Sequence, residues 1–256
     1  MERHANPQTH YYDAKPKTAS EAIEQVVLAN RILAHEGIFD YLGHVSVRNP
    51  ENGKIFFIAR SLAPEQVTKD DILEVNLEGE VLTQTTDRPY SERIIHGAIY
   101  EVRPDVNAVI HAHPQELVII SVTDIPVRII QHPAAVFYEG VPVYDDYDLK
   151  SPNSSGMLIR TREEAARVAR TLGNSMGMLL RGHGCNVVGK SIPHAVRYAI
   201  ALRDNVVMQL AAQQFGQVKS LSYEEAKVAG AALSDPKRGW DCWVARVRGA
   251  MPDLKS

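Results

Sequence analysis

Short strand-like segments crowd the middle of this chain, and helical segments stand before, between and after them. That order admits few architectures, and the simplest is an α/β sandwich. His44–Arg48 and Lys54–Ala59 read as strands joined across the hairpin signal Asn52-Gly53. Asp71–Val75 and Glu80–Leu82 form a second pair around Glu78-Gly79. Val106–His113, Val127–Ile130 and Val141–Tyr144 are further strands, and Met176–Leu180 faces Cys185–Val188 across Arg181-Gly-His-Gly184. The first helix opens at Thr18-Ala-Ser-Glu21, which has capping-box spacing, carries an apolar stripe of Ile23, Val26, Val27 and Leu33, and can stop at Gly37. Ser91 is the expected cap of a helix from Glu92 to about Val102. Pro114–Val122, Thr161–Leu172, Ile192–Gly216, Tyr223–Leu233 and Trp240–Ala250 complete the helices. No composition shift marks a linker. The expectation is an irregular N-terminal arm over 1–17, then one domain over 18–256 whose last part, from about 217, is a helical tail.

Charge and cysteine usage narrow the class. Lys plus Arg number 28 against 31 Asp plus Glu, a net charge of −3, so the basic surplus of a nucleic-acid binder is missing. No apolar run reaches the length of a membrane span. The start, Met1-Glu2-Arg3-His4-Ala5-Asn6-Pro7, has no apolar core of a secretory signal. Cys185 and Cys242 are too few and too far apart for a disulfide framework. A cytoplasmic protein is the expectation.

Histidines carry the chemical signal. His111-Ala-His113 ends an apolar strand, where side chains two apart share a face and two imidazoles can meet one metal ion. Ten histidines in 256 residues make one such pair a weak signal by itself, and both rings could simply be satisfied by neighbours. His183, between Gly182 and Gly184, is a third candidate on a tight turn, with a plain surface histidine as the alternative. Three neutral imidazoles with an open position suit a catalytic divalent ion. Glu92 opens a helix, where it either improves capping or serves a site. His96, four residues on, shares its face and is placed to hold that carboxylate or a water.

Taken in order, Ser91-Glu92, His96, Tyr100, Arg103-Pro104-Asp105 and His111-Ala112-His113-Pro114 resemble the signature of the class II aldolase/adducin family. Gly43-His44-Val45-Ser46-Val47-Arg48 is similar to that family's Gly-Asn-x-Ser-x-Arg strand, and Leu179-Leu180-Arg181-Gly182-His183-Gly184 to its third-histidine strand. The block from Val67 to Val75 and Glu78-Gly79 matches as well, so the likeness spans roughly residues 18–215. The resemblance implies a three-layer α/β/α sandwich around a mostly antiparallel sheet. It also implies a homotetramer, or a higher multiple, with sites between subunits. His111, His113 and His183 then map onto the metal ligands, and Glu92 onto an acid/base that can approach the metal.

The phosphate-binding positions of the sugar aldolases are altered. Where that resemblance leads one to expect Asn, a Thr-Pro-Ser-Gly turn and Ser-Ser, this chain has His44, Ala59-Arg60-Ser61-Leu62 and Tyr90-Ser91. Small donors have given way to an imidazole, a guanidinium fork and a phenol, groups suited to a planar acid. This pattern is similar to the family's decarboxylases of hydroxylated aromatic or pyridine dicarboxylates, which implies a metal-stabilised enolate-type anion. Arg60, with His44, would orient a carboxylate beside Ser61, Tyr90 and Ser91, unless Arg60 pairs with an acid such as Glu65. Glu92 would return the proton, with His132 as a second donor or a plain loop histidine. To donate at neutral pH, Glu92 needs a raised pKa. Zinc suits three histidines, and manganese or iron(II) suits a chelating substrate; the resemblance favours manganese. The other readings are an aldolase or epimerase acting on a sugar, and a non-catalytic adducin-like scaffold.

Overall fold

In the computed structural model of the protein, residues 15–147, 156–232 and 235–251 are described. Most of the expected N-terminal arm, residues 1–14, lies outside them. The first helix, α1 (Ala19–His35), starts where Thr18 Oγ1 accepts the Glu21 N–H at 3.2 Å. The capping box is only half made, because the Glu21 carboxylate reaches the N–H of Lys17, at 2.7 Å, and not that of Thr18. Gly37, at φ +71°, turns the chain out of the helix in the left-handed conformation.

Among the described residues seven strands follow in chain order: β1 (His44–Arg48), β2 (Ile55–Ala59), β3 (Ile72–Asn76), β4 (Ala108–Ala112), β5 (Val143–Tyr144), β6 (Gly177–Leu180) and β7 (Gly184–Gly189). They form one sheet in the order β3-β2-β1-β4-β7-β6-β5, antiparallel except where β5 runs parallel to β6. The sheet is thus mixed but mostly antiparallel. Its centre, β4, is buried at every position, as its apolar sequence requires.

Alternation along the strands sends two sets of side chains to two helical layers. Val45, Val47, Phe57, Ala108 and Ile110 join a core with α1, α5 (Ile192–Gln213) and α7 (Lys237–Ala250). Phe56, Ile58, Val109 and Val188 join the opposite core with α2 (Arg93–Val102) and α4 (Arg162–Leu172). Each large aliphatic or aromatic side chain buried here contributes about 1.5–3 kcal/mol. The remaining helices are α3 (Gln115–Ser121) and α6 (Tyr223–Ala232). A three-layer α/β/α sandwich results.

Two local expectations fail for physical reasons. Val127–Ile130 is β-rich in composition but forms no strand, because side-chain amides of α5 take the place of a neighbouring strand. Gln209 accepts from Arg128 N and Asn205 from Ile130 N, at 2.8 and 3.0 Å, while their amide groups donate to Pro126 and Arg128 carbonyls. Ser91 does not cap α2; Glu92 occupies the cap position and turns its carboxylate away from the helix N–H groups. His194, early in α5, is buried and bonded to Ser191 Oγ at 2.6 Å. Both cysteines are free, and no helix among the described residues is long and apolar enough to cross a membrane.

Candidate metal centre and active site

The sheet register lines up a polar row across three adjacent strands. His44 on β1 pairs with His111 on β4, and His111 pairs with Asn186 on β7. All three side chains project to the α2 side, since their strand neighbours Val45, Ile110 and Val187 face the other core. Helix α2 and its cap meet this row with Glu92, His96 and Tyr100, spaced four residues apart on one helical face. Beyond the end of β4, His113 points back, and the tight turn from β6 to β7 presents His183.

Nitrogens of His111, His113 and His183 lie within 4.8 Å of one another. His113 Nε2 is 3.1 Å from His111 Nε2. One Glu92 oxygen, Oε2, stands 3.7 Å from His111 Nε2 and 3.6 Å from His183 Nε2. Its other oxygen accepts the backbone N–H of Ile159 at 3.0 Å. His111 Nδ1 donates to Asn186 Oδ1 at 2.8 Å, and His183 Nδ1 to the Met157 carbonyl at 3.0 Å. Those bonds place the ring hydrogens on Nδ1 and leave both Nε2 lone pairs facing inward.

Burial, together with the neighbouring imidazoles, keeps the rings of His111 and His113 neutral. It lowers the pKa of His111 and takes that of His113 down to about 3. Burial alone would push Glu92 up, but positive charge at the His183 and His111 nitrogens, carried by a proton or by a bound cation, together with the Ile159 N–H, outweighs it and lowers the carboxyl to about 2. The raised pKa needed for a resting general acid is therefore absent: Glu92 is a carboxylate at neutral pH.

These groups pass a chemical test for a divalent cation. Inward-facing lone pairs are crowded together with a carboxylate among them, and His113 Nδ1 is buried with no hydrogen-bond partner among the described residues. Zinc–imidazole bonds of about 2.0–2.1 Å put neighbouring ligand nitrogens a little over 3 Å apart, in keeping with the spacing of His111 and His113.

The remaining predicted residues fall into two groups. His44 is buried with its ring 5.1 Å from His111 and 4.5 Å from Tyr90, so flat side chains line one side of the cluster. The Tyr90 hydroxyl is already used, donating to the Leu62 carbonyl at 2.6 Å, and burial pushes the phenol up to about 12. Arg60 does pair with an acid, but with Asp71 rather than Glu65: Nε donates to Oδ1 at 2.6 Å. Thr68 fixes that carboxylate through two bonds to Oδ2. The Arg60 Nη groups have no hydrogen-bond partner among the described residues. Ser61 and Ser91 are exposed beside these residues. His132 is exposed at the start of a short helical turn and makes no described contact with the histidine group.

His96 does not hold Glu92. It bonds His44 at 2.8 Å and Ser46 at 2.6 Å, and Ser46 in turn bonds the Tyr100 hydroxyl at 2.8 Å. Sequence reasoning missed Asn186, Ser46 and Tyr147. The signal for Asn186 was available: a lone amide in the apolar strand Cys185-Asn186-Val187-Val188. Tyr147, its hydroxyl buried without a partner among the described residues, stacks edge-on to Tyr144 and feels the charge of Glu92.

Comparison with known proteins agrees with this picture. The family described as Class II Aldolase and Adducin N-terminal domain matches residues 24–210. A 3,4-dihydroxyphthalate decarboxylase from Arthrobacter keyseri is 33% identical over 202 residues, covering 73% of this chain and 77% of the relative. The decarboxylase tropJ from Talaromyces stipitatus is 30% identical over 202 residues, 75% of this chain and 76% of its own. Among solved structures, an L-fuculose 1-phosphate aldolase from Glaciozyma antarctica superposes with a TM-score of 0.76 at 26% identity, covering 91% of this chain and 90% of that one.

Proposed function

The chain belongs to the class II aldolase and adducin family, and we propose that within it this lyase is a metal-dependent decarboxylase of a hydroxylated aromatic or pyridine dicarboxylate. One observation carries the substrate class. Tyr90 lies against His44 and His44 against His111, at 4.5 and 5.1 Å, a run of flat rings beside the three-histidine group. Such a wall favours a planar ring over a sugar chain. The two decarboxylase relatives support the same choice.

His111, His113 and His183 would hold one divalent ion per subunit, with Glu92 beside it and manganese as our preferred metal. When bound, the ion supplies Lewis acidity that stabilises negative charge on the substrate as the carbon–carbon bond breaks. Arg60, braced by Asp71 through Nε, offers its Nη groups to a substrate carboxylate. Glu92, a carboxylate at rest, accepts the proton of the ring hydroxyl on binding. CO2 departs with the bond electrons left on the ring, and Glu92 returns that proton to the ring carbon. Its acid form is thus generated within the cycle. His44 faces the substrate as a hydrogen-bonding partner, and Tyr90 supplies a ring face.

Assembly belongs to the same proposal. Ile119 and Val122 are 52% and 56% exposed, and a Cβ built on Gly182, next to His183, would sit 3.6 Å from Val122. An apolar rim beside the metal group supports a homotetramer with sites at subunit interfaces. The free cysteines are in keeping with a cytoplasmic setting.

The test is CO2 release from hydroxyphthalates and hydroxypyridine dicarboxylates with added Mn2+, set against aldehyde release from sugar phosphates. CO2 release abolished by His111→Ala is the expected result. Aldehyde release from a sugar phosphate with no CO2 from any aromatic acid would overturn the proposal in favour of an aldolase.

A further inference from the structure

Four polar side chains form an unbroken buried chain behind the flat wall of the site. Tyr100 Oη meets Ser46 Oγ at 2.8 Å, Ser46 Oγ meets His96 Nδ1 at 2.6 Å, and His96 Nε2 meets His44 Nδ1 at 2.8 Å. Tyr100, Ser46 and His96 are 1%, 0% and 0% exposed, and His44 is 4% exposed. Side chains this deeply buried need each hydrogen matched to an acceptor. The pattern of strand and helix explains why they meet: His44 and Ser46 are two apart on β1, and His96 and Tyr100 are four apart on α2.

The direction of the hydrogens follows from one comparison of distances. Tyr100 has one hydroxyl hydrogen and two acceptors, Ser46 Oγ at 2.8 Å and the Asn107 carbonyl at 3.5 Å. The shorter contact takes it, since 3.5 Å is at the edge of a useful hydrogen bond. Ser46 then has its own hydrogen left for His96 Nδ1. His96, with one ring hydrogen, carries it on Nε2 and donates to His44 Nδ1. His44 is left with its hydrogen on Nε2, the ring nitrogen that has no hydrogen-bond partner among the described residues.

We propose that Tyr100, Ser46 and His96 are positioning residues forming a one-way hydrogen-bond chain that presents His44 as an Nε2–H donor to an anionic oxygen of the substrate. Reversal of the chain would turn His44 Nε2 into an acceptor, which repels a carboxylate. The direction of the chain is independent of the reaction catalysed; the carboxylate as recipient rests on the decarboxylase reading.

Two measurements on the full chain test this. In protein labelled with 15N-histidine and loaded with Zn2+, long-range 1H–15N correlation spectra report which nitrogen of each ring carries hydrogen. Signals are assigned by their loss in His44→Gln and His96→Gln. The expected result is hydrogen on Nε2 of both His44 and His96, with His44 becoming a mixture of tautomers in Ser46→Ala. Hydrogen on Nδ1 of His44 in the unsubstituted protein overturns the proposal. So does a His44 tautomer unchanged in Ser46→Ala.

The second measurement is phthalate binding by calorimetry, which needs no turnover. A glutamine amide reaches about as far as Nε2 of histidine, and an asparagine amide only as far as Nδ1. His44→Gln is expected to stay within about threefold of the unsubstituted protein, and His44→Asn to bind roughly 10- to 100-fold more weakly, the worth of a hydrogen bond to a charged group. Equal affinities in the two variants overturn the donor role. If the unsubstituted protein itself does not bind phthalate, the aromatic-acid reading falls, and the tautomer spectra still decide the chain's direction.

Discussion

Asn186 Oδ1 accepts the Nδ1 hydrogen of His111 at 2.8 Å, from the strand position directly opposite it. The bond fixes both the tautomer and the rotation of the ring, so Nε2 is turned toward His113, His183 and Glu92. Partners of this kind tune metal affinity by about 10- to 100-fold. Asn186→Ala is expected to weaken Mn2+ or Zn2+ binding by that factor in titrations of chelator-stripped protein. It should also cost about 1–3 kcal/mol of stability, because the buried Nδ1–H loses its acceptor. Unchanged metal affinity would show that His111 is oriented by its packing alone.

Glu92 is caught between two demands, and its neighbours decide which prevails. Burial pushes its pKa up, while positive charge at the His183 and His111 nitrogens, from a proton or a bound cation, and the Ile159 N–H pull it down to about 2. Glu92→Gln keeps an oxygen for the Ile159 N–H but can neither accept nor return a proton. Turnover is expected to fall roughly 10^2- to 10^4-fold, with the metal retained by the three histidines. Parallel CO2-release rates and metal analysis check this; near-normal rates would remove Glu92 from the chemistry.

How far these features were legible in the sequence depended on the range of the interaction. The cluster of three histidines and Glu92 was legible because His111-Ala-His113, His183 and Glu92 each stand at a recognisable boundary of a strand, turn or helix. The partners of those residues were not. Helical spacing rightly put His96 on the face of Glu92, yet its ring turned to His44 and Ser46, which lie about fifty residues away in sequence. The alternative partner offered for Arg60 was an acid close in sequence such as Glu65, whereas the β2–β3 register brings it to Asp71. Val127–Ile130 has strand composition, but nothing local reveals that Asn205 and Gln209 will occupy its hydrogen bonds. Composition reports the propensity of a segment, and tertiary contacts choose its partner.

The brace on Arg60 has a pH signature. Burial would raise the pKa of Asp71, but the Thr68 hydroxyl and backbone N–H, with Arg60, lower it below the ordinary 3.8. A carboxyl depressed in the folded state contributes stability that is fully present above its unfolded value and lost as pH falls through its folded value. Asp71→Asn is therefore expected to melt below the unsubstituted protein at pH 7. That gap should begin to close below about pH 5 and vanish only once pH has fallen below the depressed folded value. Melting curves across this window test the brace, and a gap independent of pH would mean that Asp71 acts by shape rather than charge.

Gly184 couples the sheet to the metal group through space alone. A Cβ at this position would lie 2.3 Å from the Ala112 carbonyl oxygen and 2.8 Å from His113 Cδ2. Neither can yield freely, since Ala112 is paired to Cys185 across β4 and β7 and the His113 ring faces His111. Gly184→Ala must open the β4–β7 pairing at its end or turn His113 out of line. Overpacking of this kind costs about 1–3 kcal/mol, and displacing one ligand ring should weaken metal binding by at least about tenfold. Gly249 on α7 provides the control, because a Cβ there meets nothing within 4 Å. Gly249→Ala should leave metal affinity unchanged and raise stability by up to about 1 kcal/mol through helix propensity. Melting temperature and metal titration of both variants separate the effects. If Gly184→Ala lowered stability but left metal affinity intact, the strain would be absorbed by the strand ends, and His113 would hold its position without support from β7.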